Sequence, residues 1–393
     1  MQKNIVIIAT ASRYGGVYTI YKQFLKTLAA FTTGEVCLKN EQHTTPSNHL
    51  ASDYKFYIFV DPNMKQPELP NVCYIPLETR GLRRIFFDFW QFKHIIEERK
   101  VRPDVLVSFQ NMSVRYDKKT PCLIYFQTVL PLLDCRWLPF SSEERTLFFY
   151  SAIYPSYIRM LLPRRADIVV QLPFMKQEFV KTFGHDPHKI SVLFPKVKIP
   201  TPETVPMAEF EADTYNFIYP VTPYIYKRND LLIAAMAHLK KTQPELSRCL
   251  RLHFTFSPAD YPQFPAQAKA LGVEENIVYH GTIRFSEVLQ LYKGGTGCVF
   301  PSEFESFGLP LLEAAAFGLP VIAPSRPYAQ EVLANYAGAH FVPADTPEAW
   351  ATAMAEQALR HERFTPPVAS ADNSWETFLC MALDKASATP TDR

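Results

Sequence analysis

The sequence predicts an α/β protein built from two doubly wound parallel sheets, and three observations predict it. Short apolar runs alternate with helical patterns in the first half of the chain, and the alternation starts again near residue 217. Between the halves lies a stretch of weak hydrophobic periodicity that carries Pro195, Pro200, Pro202 and Pro206. The composition, 47% hydrophobic and 20% charged over 393 residues, is that of a globular chain long enough for two or three domains. Strands that alternate with helices pair in parallel, because each helix carries the chain back across the sheet.

Taken in order, Ile5–Thr10, Phe56–Val60, Val105–Phe109, Leu123–Phe126 and Ile168–Gln171 read as strands, and the spacing predicts helices over Thr19–Phe31, Ile85–Arg99 and Lys176–Phe183. The proline-rich run Phe194–Asp213 reads as a linker. Further strands are expected at Phe217–Pro220, Arg251–Phe256, Ile277–Tyr279, Gly297–Phe300 and Pro320–Ala323, with a helix over Glu287–Tyr292. Phe364–Asp372 is expected as a loop and Trp375–Ala386 as a last amphipathic helix. These readings divide the chain into residues 1–200, 201–365 and a terminal segment 366–393.

Bulk properties exclude several classes. A net charge of +2 gives no general reason for nucleic acid as a partner. Seven scattered cysteines without a Cys-x-x-Cys pair argue against a zinc site or disulfide framework and fit a reducing cytoplasm. The opening Met1–Ala9 reads as a first strand rather than a signal peptide. Leu147–Leu162, the most apolar window, is broken by Ser151, Pro155, Ser156 and Arg159 and is too short to span a bilayer. No Asp-x-Asp pair occurs, and no Gly-x-Ser-x-Gly elbow.

The chemistry concentrates in Pro301-Ser-Glu-Phe-Glu-Ser-Phe-Gly-Leu-Pro-Leu-Leu-Glu313. Gly308-Leu309-Pro310 reads as a turn that opens a helix, with Pro310 at the first helical position, where a missing N–H costs nothing. The helix is expected over Leu311–Phe317, closed by Gly318 in the left-handed conformation. Free amides and a positive dipole end make a helix start favourable for phosphate. Glu305 in the preceding loop and Glu313 in the first turn are suited to accept hydrogen bonds from sugar hydroxyls, and the combination describes a nucleotide-sugar pocket. Two glutamates eight apart, taken alone, read instead as an ordinary loop and helix with solvated carboxylates; the surrounding Phe307-Gly-Leu-Pro and Leu312-Glu-Ala change that.

Three other places carry candidate residues. Gly15-Gly16 after the first strand allows backbone amides close to a ligand, although a plain turn explains the pair by itself. Lys227-Arg228 follows the strand at Phe217, a pair that taken alone reads as solvated loop charges. Gly281-Thr282 follows the strand at Ile277, with His280 read as structural.

The segment around Glu305 closely resembles the signature of retaining glycosyltransferase family 4, the group 1 glycosyl transferases with the GT-B fold. That pattern runs Pro-Ser-x-x-Glu-Gly-Phe-Gly-Leu-Pro-x-Leu-Glu-Ala, and this chain departs in Ser306 where glycine is usual. The resemblance implies two Rossmann-like domains facing across a cleft, the last helix crossing back to the first domain. It implies retaining transfer of a sugar from a nucleotide-sugar donor to a saccharide or lipid-linked saccharide acceptor, as in bacterial cell-surface polysaccharide, lipopolysaccharide or glycolipid synthesis, without metal or other cofactor. By the same resemblance, Glu305 and Lys227 carry catalysis, and Gly16, Arg228, Gly281, Thr282, Phe307, Gly308, Leu309 and Glu313 hold the donor. Gly15 and Gln127 touch acceptor or sugar. Gln127 stands where a histidine is common, and Val221-Thr222-Pro223 where an arginine is common. These departures leave a second reading, a non-catalytic sugar-nucleotide-binding subunit that supports a partner enzyme. The implied location is the cytoplasm, with peripheral contact at the inner membrane face suggested by the basic, aromatic runs Arg80–His94 and Arg159–Arg165. The plainer reading of those runs is an aromatic face packed on the sheet, with the bases solvated.

Overall fold

A computed structural model describes residues 2–13, 15–36, 38–39, 48–134, 137–196, 198–360, 362–367 and 374–388. The end of the loop expected at Phe364–Asp372 lies outside them, as do Cys37 and Cys135. The other five cysteines are free thiols.

The chain folds as two compact units. One comprises Met1–Pro139, Thr146–Val197 and Ser370–Arg393, the other Phe140–Arg145 and Lys198–Ala369. In the first unit the strands are β1 (Lys3–Ile8), the short pair β2 (Leu38–Lys39) and β3 (Asn48–His49), then β4 (Tyr54–Val60), β5 (Val72–Pro76), β6 (Val105–Ser108), β7 (Cys122–Phe126), β8 (Asp167–Val170) and β9 (Ile190–Val192). β2 and β3 pair antiparallel. The other seven form one parallel sheet in the order β5-β4-β1-β6-β7-β8-β9. All five residues of β7 are buried. Parallel strands covered on both faces are written as unbroken apolar runs, which is why the central ones are legible.

The second unit holds β10 (Tyr215–Tyr219), β11 (Leu250–Phe254), β12 (Ile277–Tyr279), β13 (Gly297–Val299), β14 (Val321–Pro324) and β15 (Ala339–Val342). Their order is β12-β11-β10-β13-β14-β15, again parallel throughout. Strand order therefore reverses between β10 and β13, and the crevice beyond the carboxyl ends at such a point is where open α/β sheets take ligands. The expected linker is not loose chain: the Ala208 amide donates to the Gln290 carbonyl at 3.1 Å, and the Phe210 ring packs on His253 with centroids 5.1 Å apart.

The last helix, Ser374–Ser387, completes the first unit. It packs against β1, β6 and the helix Gly15–Thr32. Phe378 lies among Phe24, Phe109, Tyr125 and Trp375, with ring centroids 5.5–6.2 Å away. The Trp375 indole N–H donates to the Lys196 carbonyl at 3.2 Å, and His49 meets Asp384 at 2.9 Å. Among the described residues, no helix is long and apolar enough to cross a membrane.

Candidate functional site

The loops that follow β10 and β13 meet at the reversal point of the second unit. After β10, residues Ile225–Lys227 form one 3₁₀ turn, and Arg228 takes a left-handed φ of 53° before the helix Asn229–Thr242. The buried Tyr219 hydroxyl at the end of β10 donates to the Lys227 carbonyl at 2.8 Å and fixes that turn. After β13, the Glu303 amide donates to the Tyr226 carbonyl at 2.8 Å, tying the two loops together. The outcome is an ion pair between the Lys227 ammonium and a Glu305 carboxylate oxygen, both side chains about 15% exposed. The Lys227 ammonium also lies 5.1 Å from the centre of the Tyr226 ring and 5.8 Å from that of Phe300. Two residues 78 apart in sequence are thus brought together with opposite charges at the mouth of the sheet.

The glutamate helix differs in one detail from expectation. It runs Leu309–Ala316, with Gly308 at φ 83° as its cap and Pro310 in second position. Because glycine alone makes the left-handed turn, Leu309 can already be helical, and no acidic residue falls in the first turn. Glu313 opens the second turn. The helix ends at Phe317, and Gly318 has φ 68° with the Phe364 carbonyl oxygen 2.5 Å from where a Cβ would stand, so no other residue fits there without rearrangement. Phe307 is buried, and the amides that open this helix have no carbonyl partner within it.

Glu313 is half-buried, and its desolvation pushes the carboxyl up to about 7. The unfolded chain would release this proton near 4.5, so folding loses stability as pH rises from there through 7. Glu313→Gln is accordingly expected to stabilise the protein by about 3 kcal/mol above pH 7, at roughly 1.4 kcal/mol per pKa unit. The gain should vanish at pH 4. The same change should weaken nucleotide binding by about ten- to a hundredfold, the worth of a hydrogen bond to a charged group. Thermal unfolding with and without nucleotide across this pH range checks both; a variant neither stabilised nor weakened in binding would remove Glu313 from the site.

Arg228 is less available than its place in sequence suggests. Its guanidinium bonds Asp345 and lies 3.3 Å from Asp230, so two carboxylates already neutralise it. Arg326, which follows β14, was not singled out from sequence and faces Glu303 at 3.6 Å and Asp345 at 3.8 Å. Gly281 follows β12 at φ 67°, and Thr282 beside it is exposed. His280 bonds His253 at 2.9 Å, and His253 bonds Asn216 at 2.8 Å. Burial lowers the pKa of both imidazoles, that of His253 to about 3; His253 is buried within the sheet, and His280 is half-buried just beyond the edge strand β12.

Gly15, Gly16 and Gln127 belong to the first unit. Both glycines lie within the first turn of the helix Gly15–Thr32, at its exposed start, rather than in a loop before it. Gln127 is buried; its amide nitrogen donates to the Phe109 carbonyl at 2.8 Å, and its side-chain oxygen has no partner among the described residues. Gln110 and Gln171 share that condition, each just beyond the end of β6 or β8. Three successive strands therefore end in buried amides whose acceptor oxygens await a donor. The signal was present in Ser108-Phe-Gln110, Tyr125-Phe-Gln127 and Val169-Val-Gln171.

Residues 209–362 match the family model of the glycosyl transferases group 1, a stretch that contains the Lys227–Glu305 pair and the Glu313 helix. That stretch makes the second unit similar to the group 1 glycosyl transferases. The O-antigen chain mannosyltransferase RfbU of Salmonella typhimurium is similar to this chain, with 27% identity over 257 residues, 64% of this chain and 66% of that protein. A D-inositol 3-phosphate glycosyltransferase of Segniliparus rotundus is 27% identical over 189 residues, 46% of this chain and 42% of that one. The chain thus spans less than two thirds of either relative's length. The solved structure of WaaG, a glycosyltransferase involved in lipopolysaccharide biosynthesis, aligns over 98% of this chain and all of its own at a TM-score of 0.61 with 15% identity. That likeness shows the fold, GT-B with two Rossmann-like domains.

Proposed function

We propose that this chain is a group 1 glycosyl transferase that moves a sugar from a nucleotide-sugar donor to a saccharide or lipid-linked saccharide acceptor, with retention at the transferred carbon. The observation that carries the reading is the Lys227–Glu305 pair at the reversal point of the second sheet, one loop away from the open helix start at Gly308. In this reading the donor diphosphate displaces the Glu305 carboxylate from Lys227. The ammonium and the Phe307–Leu309 amides then stabilise the charge that builds on the leaving diphosphate. Glu305, released from the lysine, holds the hexose and balances positive charge near its reacting carbon. Glu313 accepts the ribose hydroxyls. Arg228 and Gly281-Thr282 complete the donor side, and Gly15, Gly16 and Gln127 serve the acceptor or the transferred sugar.

No group here is placed as a protein nucleophile, and the chemistry assigned needs no metal, since cationic and amide donors do the work a cation would do. The named relatives act in O-antigen chain and inositol phosphate glycoside formation, which supports bacterial cell-surface polysaccharide or glycolipid synthesis as the setting. A cytoplasmic enzyme that meets a lipid-linked acceptor at the inner membrane face fits that setting.

Thermal unfolding and diphosphate release, measured against UDP-, GDP-, dTDP- and ADP-sugars in the presence of a chelator, test the reading. Stabilisation by one nucleotide class with slow metal-free release of its diphosphate is the expected result. No stabilisation by any of them would overturn the donor site.

A further inference from the structure

The surface of the first unit carries a feature that sugar transfer does not use. The helical stretches Leu82–Glu98 and Arg145–Leu161 each contain a π turn, at Phe87–Gln91 and at Phe149–Ile153. A π turn inserts one residue and rotates the following side chains by roughly 100°. Beneath, the two helices are clamped together: buried Asp88 pairs with Arg84 and accepts from the Tyr157 hydroxyl at 2.7 Å. Outside, a continuous line of ring contacts runs Phe86–Trp90–Phe89–Tyr157–Tyr154–Phe149, centroids 5.4–6.2 Å apart. Much of this strip faces solvent: Trp90 is 57% exposed, Met160 68% and Leu82 83%.

The bases on the first helix do not make it cationic. Arg83 pairs with Glu78 at 2.8 Å, Arg84 is held by Asp88, and Lys93 lies 3.7 Å from Glu97. The free positive charge sits at the end of the strip instead. There, beside the amino ends of β6 and β7, a groove of about 1340 Å³ is lined by Phe89 and Met160 from the strip and by Arg115, Lys118, Lys119, Arg164 and Arg165. None of these five cations has a carboxylate partner among the described residues. The groove also holds Asp104, which pairs with Lys3 of the same groove at 3.8 Å, and Asp117, which accepts from the Lys119 amide at 3.0 Å, so positive charge stays in excess.

We infer that this strip and groove form a docking surface for an anionic lipid bilayer, with the aromatic strip in the interface and the five cations on headgroup phosphates. Exposed rings beside unpaired cations match a bilayer surface in both of its layers. A second copy of the chain is a poorer occupant, because a two-fold contact through this face would set the same excess positive charge against itself. The inference rests on the proposed lipid-linked acceptor only for its purpose. Its test uses neither donor nor acceptor, so its failure would leave the transfer reading standing.

The full chain should sediment with phosphatidylcholine vesicles that contain phosphatidylglycerol, and not with phosphatidylcholine alone, and added salt should release it. Lys118→Glu/Lys119→Glu and Arg164→Glu/Arg165→Glu should each lower partitioning by roughly tenfold or more, at about one kcal/mol per charge near the surface. Phe86→Ser/Trp90→Ser should do likewise. In the wild type, brominated lipid should quench fluorescence that Trp90→Phe removes, a readout that needs no destabilising change. The proposal is overturned if the wild type ignores anionic vesicles at low salt, or if it binds with Trp90 unquenched and the charge variants unaffected. It is overturned equally if ultracentrifugation shows a dimer that Phe86→Ser/Trp90→Ser dissolves, which would make the strip a contact between copies.

Discussion

Lys227→Ala and Glu305→Ala are each expected to lower the rate of diphosphate release from the nucleotide sugar by about a hundred- to a thousandfold, the loss seen when one preorganised charge-stabilising group is removed. The two side chains are paired and only about 15% exposed. Deleting one therefore leaves the other without its partner in a site of low dielectric, and part of the loss comes from that orphaned charge. The double variant should fall little further than the worse single one, because groups that act on one leaving group are not additive. Neither change touches the strand core, so thermal unfolding should move by no more than a few degrees. Near-wild-type turnover from both single variants, with the fold intact, would withdraw the catalytic assignment.

Phe378→Ala should lower the stability of the first unit by about 3–5 kcal/mol, the usual range for a fully buried phenylalanine. Its ring is fully buried and touches four other aromatic rings, three of them on the main body of that unit, namely Phe24, Phe109 and Tyr125. Shrinking it to a methyl group leaves a cavity walled by the sheet and the helix Gly15–Thr32, neither of which can collapse into it. The proposed nucleotide site lies in the second unit, so any stabilisation that nucleotide confers there serves as an internal control. Denaturant unfolding followed by tryptophan fluorescence would report the change, and a loss below about 1 kcal/mol would mean that the terminal helix is only loosely seated.

Much of the fold was legible because of where the apolar runs lie. Every strand inside either sheet is visible as a run such as Cys122–Phe126 or Val321–Pro324, covered on both faces. The strands that were missed in the two large sheets, β5, β9 and β15, are all edge strands. An edge strand has one neighbour and an open side, so its residues need not be continuously apolar; β15 buries only one of its four. The π turns were illegible for a different reason, since one inserted residue leaves the hydrophobic spacing on each side unchanged.

At the site, residue types and spacing located Glu305, Glu313 and Lys227, but not their interactions. That Lys227 closes on Glu305, that Arg228 is occupied by Asp230 and Asp345, and that Arg84 is the partner of a buried Asp88 are all tertiary facts. Glu313 is displaced into the second turn because Gly308, not Pro310, sets where the helix begins. The glutamines at the ends of β6, β7 and β8 could have been found: a polar amide that follows an apolar strand three times over is a pattern, and only Gln127 was drawn from it.

The return of Ser374–Ser387 to the first unit has a consequence for how the molecule comes into being. A ribosome delivers residues in order, so the rings of Phe109 and Tyr125 emerge long before Trp375 and Phe378 arrive to cover them. Residues 198–369 meanwhile include every strand of the second sheet and can close their core first. The part encoded first is thus completed last, and until then it presents an uncovered aromatic face to the cell. Protease resistance of stalled nascent chains, appearing in the second unit before the first, would reveal that order.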